Sequence, residues 1–338
     1  MKVKAAFMKT CKDVVLRQVE LPEPEPLEVT LKVDACGICG ADVMTASDGK
    51  DDYGPFGHEI AATVAKTGSA VTDLKPGQKV VLDSATACGA CDACKDAQQE
   101  LCTRVTSYMQ KGYFGFADHM ISPRISCVPY EGMPADVASL AEPLGVAIDM
   151  HRLAEIKVGS HVLVCGLGPI GLMALRLAKL SGASRIYGAD LSSAKARLEV
   201  ARQFGADEII EVDRTPLNTY KFAQKPDRFM VSSPPQTMAP LFNIAAKGTI
   251  FSFIGIKFGQ GAMISFDANE FHFKKLQLRA SYASPAMMTP FAVRLLQNRE
   301  IDGAALISHR FKLDQIQQAM HTASFDTANA VKVIVVND

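Results

Sequence analysis

The chain predicts an α/β protein in two parts, a β-rich, barrel-like lobe followed by a doubly wound parallel sheet. Three observations lead there. The first third alternates apolar and polar residues at period two between glycine and proline turns. From about residue 145, short apolar runs alternate with helical patterns, the rhythm of a parallel sheet wrapped by helices. A glycine-rich turn, Gly166-x-Gly168-x-x-Gly171, then falls between the first such apolar run and the helical pattern after it. A length of 338 residues suits about two domains, each with its own core.

In chain order, "VVLRQVE", "LEVTLKVDAC", "EIAATVAKTG" and "QKVVLD" read as strands, with Leu27, Val29, Leu31 and Val33 as the apolar set of the second. After the change of rhythm, "HVLVC" predicts a buried strand and "PIGLMALRLAKLSG" a helix ended at Gly182. "SRIYGAD" predicts a strand, "SSAKARLEVARQFG" a helix with Ser192 as N-cap, and "DEIIEVD" a further strand. "RFMVS", "TIFSFIG" and "LQLRASYA" continue the alternation. Beyond about residue 285 the chain runs through "MTPFAVRLLQNREID" and "LDQIQQAMHTA" to a last strand, "VKVIVV", which either extends the sheet or returns to the first lobe.

Lys plus Arg equals Asp plus Glu at 36 each, so there is no basic field for nucleic acid or anionic lipid, and a small-molecule substrate is expected. The most apolar window, "VLVCGLGPIGLMAL", ends at Arg176 and is interrupted by glycines and a proline, too short for a membrane span of about 20 residues. The N-terminal "MKVKAAFMKTCKD" lacks the apolar run of a signal segment. A cytoplasmic protein with free thiols is the expectation.

Cys88, Cys91, Cys94 and Cys102 follow C-x2-C-x2-C-x7-C. Two-residue gaps let a tight turn aim neighbouring sulfurs at one point, and four thiolates satisfy tetrahedral Zn(II) with no vacant position. Such a site clamps a lobe and does no Lewis-acid chemistry. An iron–sulfur cluster also takes four cysteines, but the proline-bearing ferredoxin spacing is missing. Disulfides suit a reducing compartment poorly. Four unrelated buried thiols would not crowd into fifteen residues, so zinc is the expectation.

Gly166 permits the tight turn after the strand, Gly168 lets a pyrophosphate approach the backbone, and Gly171 lets helix pack on strand. Pro169 and Ile170, at the start of the helix, complete the expected dinucleotide-binding turn. Asp190 ends the next strand, where its carboxylate accepts both ribose hydroxyls and repels a 2′-phosphate, so NAD is favoured over NADP. Lys195 either lines the adenosine pocket or is an ordinary solvated helix lysine.

Hydride transfer from an alcohol needs a Lewis acid or a general base for the hydroxyl proton. Cys39 in "DACGICGADV", His58 and Glu59 in "PFGHEI" and Glu142 in "LAEPLGVAID" are the candidates. Singly, each has a plain structural explanation: a buried thiol, a turn histidine, a charge at a helix start. Together they are a sulfur, an imidazole and one or two carboxylates.

With "GICGADV", "GHE", "LKPGQKVVLD", the four-cysteine lobe, "EPLGVA", "GLGPIGLMALRLAK" and "LISHRFKLDQIQQAM", nearly the whole chain resembles the zinc-dependent medium-chain dehydrogenase/reductase superfamily. Glu142, where alcohol dehydrogenases carry a second zinc-binding cysteine, is similar to the polyol branch typified by sorbitol dehydrogenase. The resemblance implies a GroES-like β-barrel catalytic domain over residues 1–145, including a structural zinc lobe over 84–104. It implies a Rossmann NAD-binding domain over 146–284 and a return to the catalytic domain over 285–338. It also implies two zinc ions per chain. One is held by the four cysteines, the other by Cys39 and His58 with Glu59 and Glu142 as ligands or as partners through water. The implied activity is NAD-dependent oxidation of a secondary hydroxyl on a polyol, cyclitol or sugar derivative, by a homodimer or homotetramer. Threonine, a sugar acid or a sugar phosphate are alternative substrates. A zinc-ribbon interaction protein or thiol redox sensor with a vestigial nucleotide fold is the reading from another class.

Three features depart from the family pattern. Relatives carry Ser or Thr two residues after the zinc cysteine and often His three further on, a proton path; this chain has Ala41 and Met44. Sorbitol dehydrogenases carry an Arg-Tyr pair where this chain has Ser281 before Tyr282. "VSSPPQT" replaces the usual small and acidic run on the nicotinamide side.

Overall fold

The computed structural model describes residues 1–49, 51–257 and 259–337. The chain divides into two compact units, Met1–Gly145 with Ala283–Asp338, and Val146–Tyr282. The first unit contains β1 (Lys2–Thr10), β2 (Asp13–Glu20), β3 (Glu28–Gly37), β4 (Gly54–Pro55), β5 (Glu59–Thr67), β6 (Lys79–Leu82), β7 (His119–Pro123) and β8 (Cys127–Pro129). The second contains β9 (His161–Cys165), β10 (Arg185–Asp190), β11 (Glu208–Glu211), β12 (Arg228–Val231), β13 (Ile250–Phe253) and β14 (Gln277–Ala280). The chain then supplies β15 (Ile307–Lys312) and β16 (Lys332–Val336) to the first unit.

In the first unit β2, β1 and β4 form a small sheet, and a larger one runs β15-β16-β3-β5-β6-β8 with β7 also paired to β3. Strand β3 is central because it bonds β5, β7 and β16. Val29, Leu31 and Val33 are fully buried, and Glu28 and Thr30 on the alternate face are buried as well. The period-two pattern therefore marks only one of two covered faces. Leu27 departs from the expectation: it precedes the strand and is exposed. The strand begins instead at Glu28, whose carboxylate accepts the Glu25 N–H at 2.9 Å and pairs with Lys111 at 2.7 Å.

The last strand, β16, pairs antiparallel with β3, placing Val335 opposite Cys36. Ile316, Ala319 and Met320 of the helix Ile316–Phe325 join the same hydrophobic core as Leu31, Ile60 and Leu82. The C-terminal segment thereby becomes part of the framework that carries Cys39 and Glu59.

The second unit is a six-stranded, wholly parallel sheet in the order β11-β10-β9-β12-β13-β14. Its order reverses at β9, the position where open α/β sheets bind ligands at the carboxyl ends of their strands. The helix Lys195–Gln203 starts later than expected: Ala194 is its N-cap, and the Ser192 side chain does not cap it. Among the described residues no helix is long and apolar enough to cross a membrane.

Candidate metal centres and dinucleotide site

The four cysteines of the loop after β6 converge. Their sulfurs all lie within 4.8 Å of one another. Cys88 and Cys94 are 4.0 Å apart, and Cys91 and Cys102 are 3.9 Å apart. A tetrahedron with Zn–S bonds of about 2.3 Å has edges of about 3.8 Å, so the donor set fits zinc closely. The short helix Asp92–Lys95 supplies Cys94, with Cys91 as its N-cap. Backbone amides prepare the sulfurs for metal: Cys88 Sγ accepts N–H groups of Ala90 and Cys91 at 3.4 Å, and Cys102 Sγ accepts Cys88 N–H at 3.3 Å. Amide donors pull the Cys91 thiol down to about 6, whereas desolvation and the neighbouring thiols push Cys94 up to about 12. A cation at the centre removes that conflict by neutralising the crowded thiolates.

A second convergent set combines Cys39, His58 and Glu59, whose ligand atoms also lie within 4.8 Å of one another. Cys39 caps the helix Gly40–Asp48 and accepts Ala41 N–H at 3.4 Å. Glu59 is the first residue of β5, pairing with Gly37 of β3, so adjacent strand ends bring the sulfur and the carboxylate to one place. Tyr108, fully buried, donates its hydroxyl to the His58 carbonyl at 3.2 Å. Burial pushes the Cys39 thiol up. Burial also opposes charge on His58, yet Cys39, Glu142 and Asp42 hold its pKa well above the ordinary imidazole range. Both shifts retain protons on ligand atoms, which a divalent cation would displace. One soft sulfur, one imidazole and carboxylate oxygen suit zinc.

Glu142 lies in the first turn of the helix Ala141–Ala154, outside the tight three-residue set. Its Oε1 accepts the Ser84 hydroxyl at 3.2 Å, and Ser84 is anchored in turn by Ser107 Oγ on its carbonyl at 2.5 Å. Burial pushes the Glu142 carboxyl up against the pull of His58.

Sequence reasoning missed three participants. Lys332 of β16 is 2% exposed, and its ammonium pairs with Glu59, itself 1% exposed, while donating to the Ile38 carbonyl at 2.9 Å. Burial opposes the charge, but Glu59, Cys39 and Glu142 hold the Lys332 pKa above the ordinary lysine value. A Cβ at Gly37 would overlap the Glu59 carboxylate, so this pairing requires glycine on the facing strand. Asp42 is buried and accepts Cys39 N–H at 3.0 Å, fixing the turn that presents the sulfur. Ser84 is the third. The lone lysine in "VKVIVV" was the visible signal for the first, and a carboxylate three residues past Cys39 for the second. Ser84 carried none.

In the second unit Gly166 has φ +86° directly after β9, and a Cβ at Gly171 would overlap the Gly166 carbonyl. A Cβ at Gly168 would meet nothing within 4 Å, so the space beside this N-cap is open as pyrophosphate approach requires. Pro169 and Ile170 form the first turn of the helix Pro169–Leu180. Asp190 ends β10 and accepts the amides of Leu167 and Leu191, both at 2.8 Å. Lys195 is exposed at the start of its helix. "VSSPPQT" contributes Ser232, whose hydroxyl donates to the Gly166 carbonyl at 2.8 Å and braces the glycine turn. Ser281 donates to Asp149 at 2.6 Å, while Tyr282 is exposed.

The model of the alcohol dehydrogenase GroES-like domain matches residues 25–134, and that of the zinc-binding dehydrogenase matches residues 169–298. L-arabinitol 4-dehydrogenase of Aureobasidium melanogenum is 30% identical, across 94% of this chain and 90% of its own. L-threonine 3-dehydrogenase of Chromobacterium violaceum is 28% identical across 98% of both chains. The solved structure of a short chain alcohol dehydrogenase (rspB) from Escherichia coli CFT073, complexed with cofactor NADH, superposes with a TM-score of 0.90 at 23% identity, covering 99% of each chain. The chain belongs to the zinc-binding medium-chain dehydrogenase/reductase superfamily, as a zinc-dependent NAD(P) oxidoreductase with a GroES-like domain and a Rossmann domain.

Proposed function

We propose that the protein oxidises a secondary hydroxyl of a polyol, cyclitol or sugar derivative with NAD, working as a cytoplasmic homodimer or homotetramer. The observation that carries the reading is Glu142, a carboxylate held by Ser84 and close enough to His58 to raise its pKa. The similarity to an arabinitol dehydrogenase over nearly the full chain supports a polyol.

In this reading Cys39 and His58 hold the catalytic zinc, with Glu59 and Glu142 as ligands or as partners through water, and Cys88, Cys91, Cys94 and Cys102 hold the structural one. The catalytic zinc, when bound, supplies the Lewis acidity that favours ionisation of a substrate hydroxyl. Lys332 neutralises Glu59, which leaves Glu142 to take the hydroxyl proton on its Oε2 while Ser84 holds Oε1. Glu142 thus replaces the hydroxyl–imidazole path that Ala41 and Met44 lack. Gly166, Gly168, Pro169, Ile170 and Gly171 cradle the pyrophosphate, Asp190 takes the adenosine ribose, and exposed Lys195 borders it.

A second reading, L-threonine as substrate, is favoured by similarity to a threonine dehydrogenase over 98% of the chain. NADH formation by zinc-analysed protein, screened against pentitols, hexitols, inositols, sugar acids and threonine, separates them. Turnover of a polyol or cyclitol with two zinc ions per chain is expected. Turnover of threonine alone would overturn the proposal, and one zinc per chain would confine zinc to the four-cysteine clamp.

A further inference from the structure

The residue expected to cap the helix after β10 is engaged elsewhere. Ser192 donates its N–H to Asp213 Oδ1 and its hydroxyl to Asp213 Oδ2, both at 2.7 Å. Asp213 follows β11, which runs parallel to β10 with Glu211 opposite Asp190, and the Val212 N–H bonds the Asp190 carbonyl at 3.0 Å. Two carboxylates therefore bracket the turn at Leu191 and Ser192, Asp190 from the end of β10 and Asp213 from beyond β11. We infer that Asp213 is a second specificity-determining carboxylate of the dinucleotide site, excluding a ribose 2′-phosphate by withholding the donors of Ser192 and adding a like charge. The inference rests on the NAD reading assigned above to Asp190.

A 2′-phosphate needs hydrogen-bond donors and positive charge around three oxygens. The Leu191 N–H is spent on Asp190, and both donors of Ser192 are spent on Asp213. Arg214, next to Asp213, pairs with Glu211 at 2.7 Å. The Ser192 bonds hold the Asp213 carboxyl below its ordinary pKa, so it is ionised at neutral pH. To bind there, a phosphate would have to displace one anion from Ser192 while facing another at Asp190. A free 2′-hydroxyl meets no such conflict, because it can donate to a carboxylate. With Asp213→Asn one acceptor oxygen becomes an amide NH2 that cannot accept, so one Ser192 donor is freed for a phosphate, and exposed Lys195 on the first turn of the next helix is available as its cation.

The test uses the full chain and two probes differing only in the 2′-phosphate, 5′-AMP and 2′,5′-ADP, with binding followed by calorimetry. It needs no knowledge of the oxidised substrate. Wild type is expected to prefer 5′-AMP. Asp213→Asn, nearly isosteric, is expected to bind 2′,5′-ADP on the order of fivefold more tightly at low ionic strength, with 5′-AMP unchanged within about twofold. The gain should shrink as salt rises. Ser192→Ala keeps both carboxylates and is expected to gain nothing for 2′,5′-ADP. An Asp213→Asn protein of wild-type melting temperature that gained nothing, or that weakened both probes equally, would overturn the role of Asp213. Equal binding of the two probes by wild type would instead overturn the NAD reading at Asp190.

Discussion

Replacing Lys332 by methionine tests the buried charge pair beside Cys39 and His58. The side chain is of similar length but carries no ammonium, so Glu59, 1% exposed, loses its cation and the Ile38 carbonyl loses its 2.9 Å donor. Stranding one member of a buried pair costs about 3–5 kcal/mol, and an unsatisfied buried carbonyl about 1–3 kcal/mol. Because one ammonium serves both groups, the costs overlap, and a loss of about 3–5 kcal/mol is expected. For a unit of about two hundred residues that corresponds to a melting temperature lower by roughly 6–20 °C. The fall should be larger after zinc removal, when the protonated His58 imidazole is left in place of the divalent ion as the cation beside Glu59. Calorimetric melting of wild type, Lys332→Met, Glu59→Gln and the double variant, zinc-loaded and chelator-treated, completes a mutant cycle. Glu59→Gln should restore much of the stability lost in Lys332→Met, since the stranded charge is then gone. A zinc-free Lys332→Met protein melting within about 2 °C of zinc-free wild type would refute the claim that the pair is electrostatically interlocked.

Cys94→Ser should drop the metal content from two zinc ions to one and lower the melting temperature, because a closed four-thiolate site serves folding rather than turnover; elemental analysis with calorimetry checks both. Glu142→Gln should retain zinc and lose about 10²-fold or more in kcat, read from its pH profile, since the amide cannot accept a proton. Asp83 is 8% exposed and bonded by Thr289, and burial raises its carboxyl to about 6 from an ordinary 3.8. A raised carboxyl favours the folded state fully below the unfolded pKa and loses that contribution as pH rises through the folded one. Roughly 3 kcal/mol should therefore disappear between about pH 4 and pH 6. Asp83→Asn should abolish this slope in urea titrations across that range.

The local patterns of this sequence were sufficient for its fold class, but not for the destination of the last strand, which the pairing of β16 with β3 decides. Period-two runs, the strand–glycine turn–helix pattern around Gly166 and the spacing of Cys88 to Cys102 each express a constraint within a few residues: pleat geometry, a tight turn, a tetrahedral donor set. Cys39, His58 and Glu59 were also legible, because short motifs carry them. What remained hidden depends on strands far apart in sequence becoming neighbours. Lys332 reads as an interruption of an apolar strand until β16 pairs with β3 and delivers its ammonium to Glu59. Ser84 reads as one more loop hydroxyl until the loop after β6 meets Glu142. Ser192 stands where a helix cap belongs by local rules, and the parallel pairing of β10 with β11 instead places the Asp213 carboxylate within reach of both its donors. Burial and pairing of charge are properties of the assembled sheets, so which lysine, which carboxylate and which hydroxyl act together was decided only in three dimensions.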